Sequence, residues 1–145
     1  MTISITNNQN ALPINQYKVK RRLSRLLKEL NKSDFNLSIL FCDDEQIRSL
    51  NRDFRKIDKP TNVLAFPDTQ SALGQRAYLG DVAISTQTTM REAAESDLDA
   101  GERLYFYLVH ALLHLIGYDH EKGPEAQLAQ EAETERLSKL IKNDL

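Results

Sequence analysis

The chain begins with an alternation of β-branched residues over Thr2–Thr6, which predicts a first strand. From Asn15 to Asn31 the period changes. Val19, Leu23, Leu26, Leu27 and Leu30 fall on one 3.6-residue face, the pattern of an amphipathic helix. Asn36–Cys42 reads as a second strand. Asp43 and Asp44 follow it, where a helix start favours acids, and that helix continues through Ile47 and Leu50 to about Phe54. Thr61–Phe66 predicts a third strand, closed by Pro67, and residues 68–78 a loop with Gly74 at its tip. Leu79–Ser85 predicts a fourth strand, with Val82 and Ile84 on one side and Leu79, Asp81 and Ala83 on the other.

The remainder is helical. Thr86–Glu95 forms one short helix. Asp99 and Glu102 give a start signal for the next, which runs to Ile116 and stops at Gly117. Gly123-Pro124 opens the last, with Leu128, Ala132, Leu137 and Leu140 as its expected buried face. The order β-α-β-α-β-β-α-α-α predicts an α/β (α+β) fold, a small mixed four-stranded sheet packed with about five helices. No repeat and no Gly/Ser-rich linker interrupts it, so residues 1–145 read as one domain.

Composition narrows the class. Hydrophobic residues make up 41% and charged residues 28%, which excludes collagen-like and disordered chains. No apolar run is long enough to span a membrane, and the first residues lack the basic and apolar regions of a secretory signal. The single cysteine, Cys42, sits in an apolar run and reads as core, in keeping with a reducing compartment.

All three histidines fall in His110-Ala-Leu-Leu-His114-Leu-Ile-Gly-Tyr-Asp-His120. His110 and His114 are four residues apart and so share a helix face. Gly117 permits a reversal that can return His120 toward the same point. Three imidazoles with one open position are the donor set of a catalytic zinc site. From Phe106 to Ile116 only Tyr107, His110 and His114 are not fully apolar, so the helix is expected to be buried. A shared metal would satisfy two imidazoles stacked there; the plainer alternative is that each bonds a backbone carbonyl. The spacing resembles that of H-E-x-x-H metalloproteases, but Ala111 stands where their general base would be, which argues against peptidase chemistry. The nucleophile would then come from the metal, which can bring a bound water's pKa to about 7, or from a group elsewhere.

Charge is unevenly spread. Residues 1–60 carry 12 Lys/Arg against 7 Asp/Glu, and residues 61–145 carry 7 against 14, within a net charge of −2. Lys18, Arg21, Arg22, Arg25 and Lys28 form a stripe on the first helix, and Arg48, Arg52 and Arg55 another on the second. Such stripes are commonly solvated faces, but two of them without acidic cover can also track the phosphates of a single strand. No aromatics are interleaved with them, so base stacking is not expected. Arg55 begins a charged turn, Arg55-Lys-Ile-Asp-Lys-Pro60-Thr-Asn-Val-Leu-Ala-Phe-Pro67, and its planar fork suits a phosphoryl group.

Together the His110–His120 segment, the Arg55–Pro67 segment and Gly80-Asp81-Val-Ala-Ile-Ser85 resemble the YbeY family of bacterial single-strand-specific metallo-endoribonucleases. The resemblance runs from about Cys42 to Glu135 and implies zinc at His110, His114 and His120, one ion per chain, with Arg55 important for activity. It implies a cytoplasmic protein acting on single-stranded ribosomal RNA, in 16S rRNA 3′-end maturation and ribosome quality control, with the ribosome or ribosomal proteins as partners. Duplex DNA and membranes are not expected partners. Two positions depart from the family pattern. Ala111 replaces the usual glycine after the first histidine and cannot coordinate, so the metal site should survive; Ala65 replaces a serine, removing any hydrogen bond of that hydroxyl. The leading reading is a single metal-dependent endoribonuclease domain. The alternatives are a ribosome-associated RNA-binding assembly protein with a mainly structural zinc, and a metal-dependent hydrolase of a small substrate. Asp81 and Asp119 remain open. Asp119 either orients a ligand histidine or shapes the turn.

Overall fold

A computed structural model describes residues 2–68 and 77–142. The expected loop tip at Gly74 lies outside them. Four strands, β1 Ile3–Asn7, β2 Asn36–Cys42, β3 Val63–Pro67 and β4 Tyr78–Ser85, form one sheet in the order β1-β2-β4-β3. β1, β2 and β4 run parallel, and β3 lies antiparallel to β4 at the edge, so the sheet is mixed. Among the described residues five helices accompany it: α1 Gln16–Glu29, α2 Asp44–Arg55, α3 Thr86–Glu95, α4 Ala100–Leu115 and α5 Pro124–Lys142. Among the described residues no helix is long and apolar enough to cross a membrane.

The helix starts follow their capping chemistry. Asn15, Asp43, Ser85 and Asp99 each accept a backbone N–H from the first turn of α1, α2, α3 and α4. The main core lies between the sheet and α1, α4 and α5, centred on Leu26, Leu27, Phe41, Ile84, Leu112, Leu113 and Leu137. A smaller cluster of Cys42, Ile47, Leu64 and Ala83 holds α2 to the opposite face. Burial pushes the Cys42 thiol up to about 12, with help from Asp43 and Asp44, as befits a core cysteine.

Three expectations about faces are corrected. Leu79 does not point away from Val82 and Ile84 but shares their core. The pairing of β2 with β4 slips between Asn36 and Leu37, so Leu79 is an extra residue in a bulge and alternation breaks there. On α5 the buried positions are Gln130, Thr134, Leu137 and Ile141; Leu128 is 65% exposed, Ala132 is also exposed, and Leu140 is half-buried. The stripe moves because α5 must face the polar end of α4 as well as the core. On α1, Arg22 leaves the cationic stripe: it is buried, lies 4.4 Å from the Tyr105 ring centroid and donates to the Lys142 carbonyl.

Gly80 marks the point where β3, β4 and α4 crowd together. Its φ is +142°, and a Cβ there would collide with the Phe66 carbonyl, stand 3.0 Å from Pro67 Cα and 3.1 Å from Leu115 Cδ2. Gly80→Ala is expected to cost about 2–3 kcal/mol through backbone strain and the clash. A lower urea midpoint at unchanged slope would show it; an unaltered midpoint would show that the strands give way freely.

Candidate metal and phosphate site

The histidine helix is buried as its sequence demands, but its imidazoles are not. Leu104, Leu108, Val109, Ala111, Leu112, Leu113 and Leu115 are buried, whereas His110 and His114 are half-buried and His120 is exposed. The face they share is therefore the rim of the core, where a ligand can reach them. The methyl of Ala111 is absorbed into the core, 1% exposed.

After α4 the chain turns back at once. Ile116 caps the helix, Gly117 takes φ 115°, and Tyr118 N–H returns to the Leu113 carbonyl at 3.0 Å. A single 3₁₀ turn, His120–Lys122, follows. The reversal sets the His110 and His120 rings with centroids 5.3 Å apart, tilted by 51°. Asp119 caps this turn by accepting the Glu121 N–H at 3.0 Å, so the structure gives it the turn-shaping role.

Burial first, then the nearness of His120 and His114, hold the His110 pKa below its ordinary value, against an opposing pull from Glu131. The shift favours the neutral form of His110, which has a lone pair to give. Gln130, fully buried on α5, donates from Nε2 to the His110 carbonyl at 3.2 Å and lies 3.4 Å from both ring nitrogens. Its Oε1 is buried with no hydrogen-bond partner among the described residues. Sequence reasoning missed Gln130. The signal was the spacing 130, 134, 137, 141, a buried stripe whose first two members are polar.

Among the described residues no three His, Cys, Asp or Glu side chains are closed into a metal-holding set. The three histidines share one neighbourhood without converging on a point. Their donor chemistry nevertheless fits zinc: three imidazoles at the rim of the core.

Arg55 comes to the same place from the other side of β3. It is the last residue of α2, and Lys56 ends the helix in the left-handed region at φ 62°. Asn51, buried on α2, holds the following turn by donating to the Lys59 carbonyl at 2.9 Å. Arg55 Nη2 then lies 3.5 Å from Glu121 Oε1, beside His120. Asn62 anchors the far end of the turn. It donates to Glu92 on α3, which also accepts from the Tyr107 hydroxyl of α4 at 2.6 Å. The Arg55–Pro67 segment is thereby tied to the histidine helix.

The stripe on α2 is not free of acidic cover, contrary to expectation: Arg48 pairs with Asp58, Arg52 with Asp53 and Arg55 with Glu121. All three pairs are exposed, and the last is the longest, at 3.5 Å, so an incoming anion can take its arginine with little loss. Asp81 is not part of this site. It is exposed on the α2 face of the sheet, where it accepts the Tyr78 hydroxyl at 2.6 Å. A second polar knot, also missed, joins α2 to α3: Asp44 accepts from Ser85, Thr88 and Arg91. It fixes the start of α2 and thus the line along which Arg55 is delivered.

Against protein-family models, residues 4–141 match the one described as Endoribonuclease YbeY. Curated relatives of that name include one from Geobacter metallireducens, 38% identical over 94% of this chain and 92% of its own length. Another, from Aquifex aeolicus, is 41% identical over 86% of this chain and 83% of its own length. A third, from Wolbachia, is 44% identical over 79% and 76%. The fold is shared with the solution structure of TM1509 from Thermotoga maritima, at a TM-score of 0.67 and 21% identity over 96% of this chain and 88% of that one. A match across nearly the whole chain, with the histidine segment and the Arg55 turn inside it, makes this protein a member of the endoribonuclease YbeY family.

Proposed function

We propose that this protein is a zinc-dependent endoribonuclease that cuts single-stranded ribosomal RNA, acting in 16S rRNA 3′-end maturation and ribosome quality control. The observation that carries the reading is the meeting of Arg55 with the turn that bears His120, from two segments 66 residues apart. A phosphate-binding fork beside three imidazoles is an arrangement for phosphodiester chemistry. Family membership supports RNA as the substrate and the ribosome as the partner.

In this reading His110, His114 and His120 hold one zinc ion. When bound, zinc supplies Lewis acidity and a means of activating water near neutral pH. Gln130 holds the backbone and ring of His110 in place from α5. Arg55 donates to the non-bridging oxygens of the scissile phosphate, where negative charge builds as the bond to the leaving oxygen breaks. The cationic stripe of α1, with Arg25 and Lys28 exposed and Lys18 half-buried, offers contacts to flanking phosphates.

The test is single-turnover cleavage of a single-stranded rRNA fragment, with metal content measured alongside. The purified protein should carry about one zinc per chain and lose cleavage to a chelator. His114→Ala should lose both metal and activity. Arg55→Ala should keep its zinc and its urea midpoint, since its only described ion pair is exposed, yet lose about two orders of magnitude in rate, as when an oxyanion donor is removed. Arg55→Lys should recover only part, because an ammonium keeps the charge without the fork. Cleavage that survives the chelator and His114→Ala would overturn the zinc assignment, and an Arg55→Ala variant with full activity would overturn that of Arg55.

A further inference from the structure

The α2 face of the sheet carries a groove of about 650 Å³ that the proposed reaction leaves unused. Hydroxyl-bearing Ser4, Thr6 and Ser38 line one side of it. Leu50, Phe54 and Phe66 line the other, apolar side, nearest the Arg55 turn. Ile47, Leu50 and Phe54 follow one face of α2, and only Ile47 is fully buried. Phe54 is 67% exposed, with its ring centroid 5.2 Å from that of Phe66 on β3 and tilted by 56°. An aromatic ring propped by a second ring, on a surface, presents a stiff flat face at little entropic cost.

We propose that Phe54, backed by Phe66, is a stacking platform for a base of the single-stranded RNA whose phosphate lies at Arg55; this rests on the endoribonuclease reading above. The two residues are consecutive, so their side chains leave α2 about 100° apart. Arg55 goes toward Glu121 and the histidines, and Phe54 goes toward the groove. A strand crossing the end of α2 meets the fork with its backbone and the ring with its base. The groove's charge selects the same orientation. Asp81 lines it and is exposed, so a phosphate is repelled from the interior while a base is not. Stacking of this kind tolerates any base and requires it to be unpaired, which gives the site a preference for single strands. The expectation that no aromatic stands among the basic residues is therefore corrected: Phe54 lies between Arg52 and Arg55 in the sequence and is exposed.

The experiment is stopped-flow binding, read before cleavage and at one salt concentration, of a labelled single-stranded RNA hexamer and its abasic counterpart. The wild-type protein should bind the base-bearing strand more tightly. Phe54→Ala should weaken that binding by about 5- to 150-fold, the range spanned by base–aromatic stacking, and leave the abasic strand unaffected. Phe54→Tyr should restore it, since the ring face remains, and Phe54→Leu should not. The salt dependence should not change, because no phosphate contact is removed. Equal losses for both strands would overturn the platform and make Phe54 a support for the end of α2. Unchanged binding of both would overturn it too, and leave the groove to a protein partner. In either case, wild-type cleavage of the same RNA keeps the endoribonuclease reading; neither binding nor cleavage by the wild type would end both.

Discussion

A helix that ends inside its own core carries its last side chains away from whatever follows, unless the chain reverses immediately. Here the reversal is made by Gly117 at φ 115°, with Tyr118 N–H folded back onto Leu113. No atom within 4 Å would meet a Cβ on Gly117, so the glycine is required by its backbone angle and not by space. The rest of the site depends on that turn. It sets His120 against His110 on one side, and on the other it puts Glu121 within reach of Arg55. Without it α4 would still pack, but its two histidines would face solvent with no third imidazole and no arginine.

The apolar core and the polar contacts divide the work between them. Burial of Leu108, Leu112 and Leu113 fixes α4 on the sheet and therefore fixes which way His110 and His114 look. Apolar contact carries no directional information at the rim, so the approach of the neighbouring segments is set by hydrogen bonds. Gln130 docks α5 on the His110 turn, and Glu92 joins Tyr107 to Asn62 at the start of β3. Asp44 gathers three donors at the other end of α2. These groups are costly to bury unless paired, and their pairing specifies one arrangement of segments.

Much of this was legible in the sequence. Thr86–Glu95 forms the helix expected of it, and the histidine spacing points to one neighbourhood before any fold is known. What was not legible depends on partners. Leu79 changes sides because β2 and β4 pair with a slip, which no single-strand pattern encodes. Gln130 and Arg22 are polar by type and buried by circumstance, one opposite His110 and the other against Tyr105. Phe54 marks only the approximate end of a helix in the sequence, and its exposure arises because α2 extends past the cluster that buries Ile47. Residue type predicts burial where the pattern is regular and misleads where elements end or meet.

The central claim is that three imidazoles from a helix and its returning turn act as one donor set. It is tested most directly by imidazole nitrogen NMR while zinc is titrated into the chelator-stripped protein. The account predicts that the ring nitrogens of His110, His114 and His120 shift together and stop shifting at one equivalent of metal. A titration in which any of the three rings stays unmoved at saturation, or in which no saturable shift occurs, would contradict it.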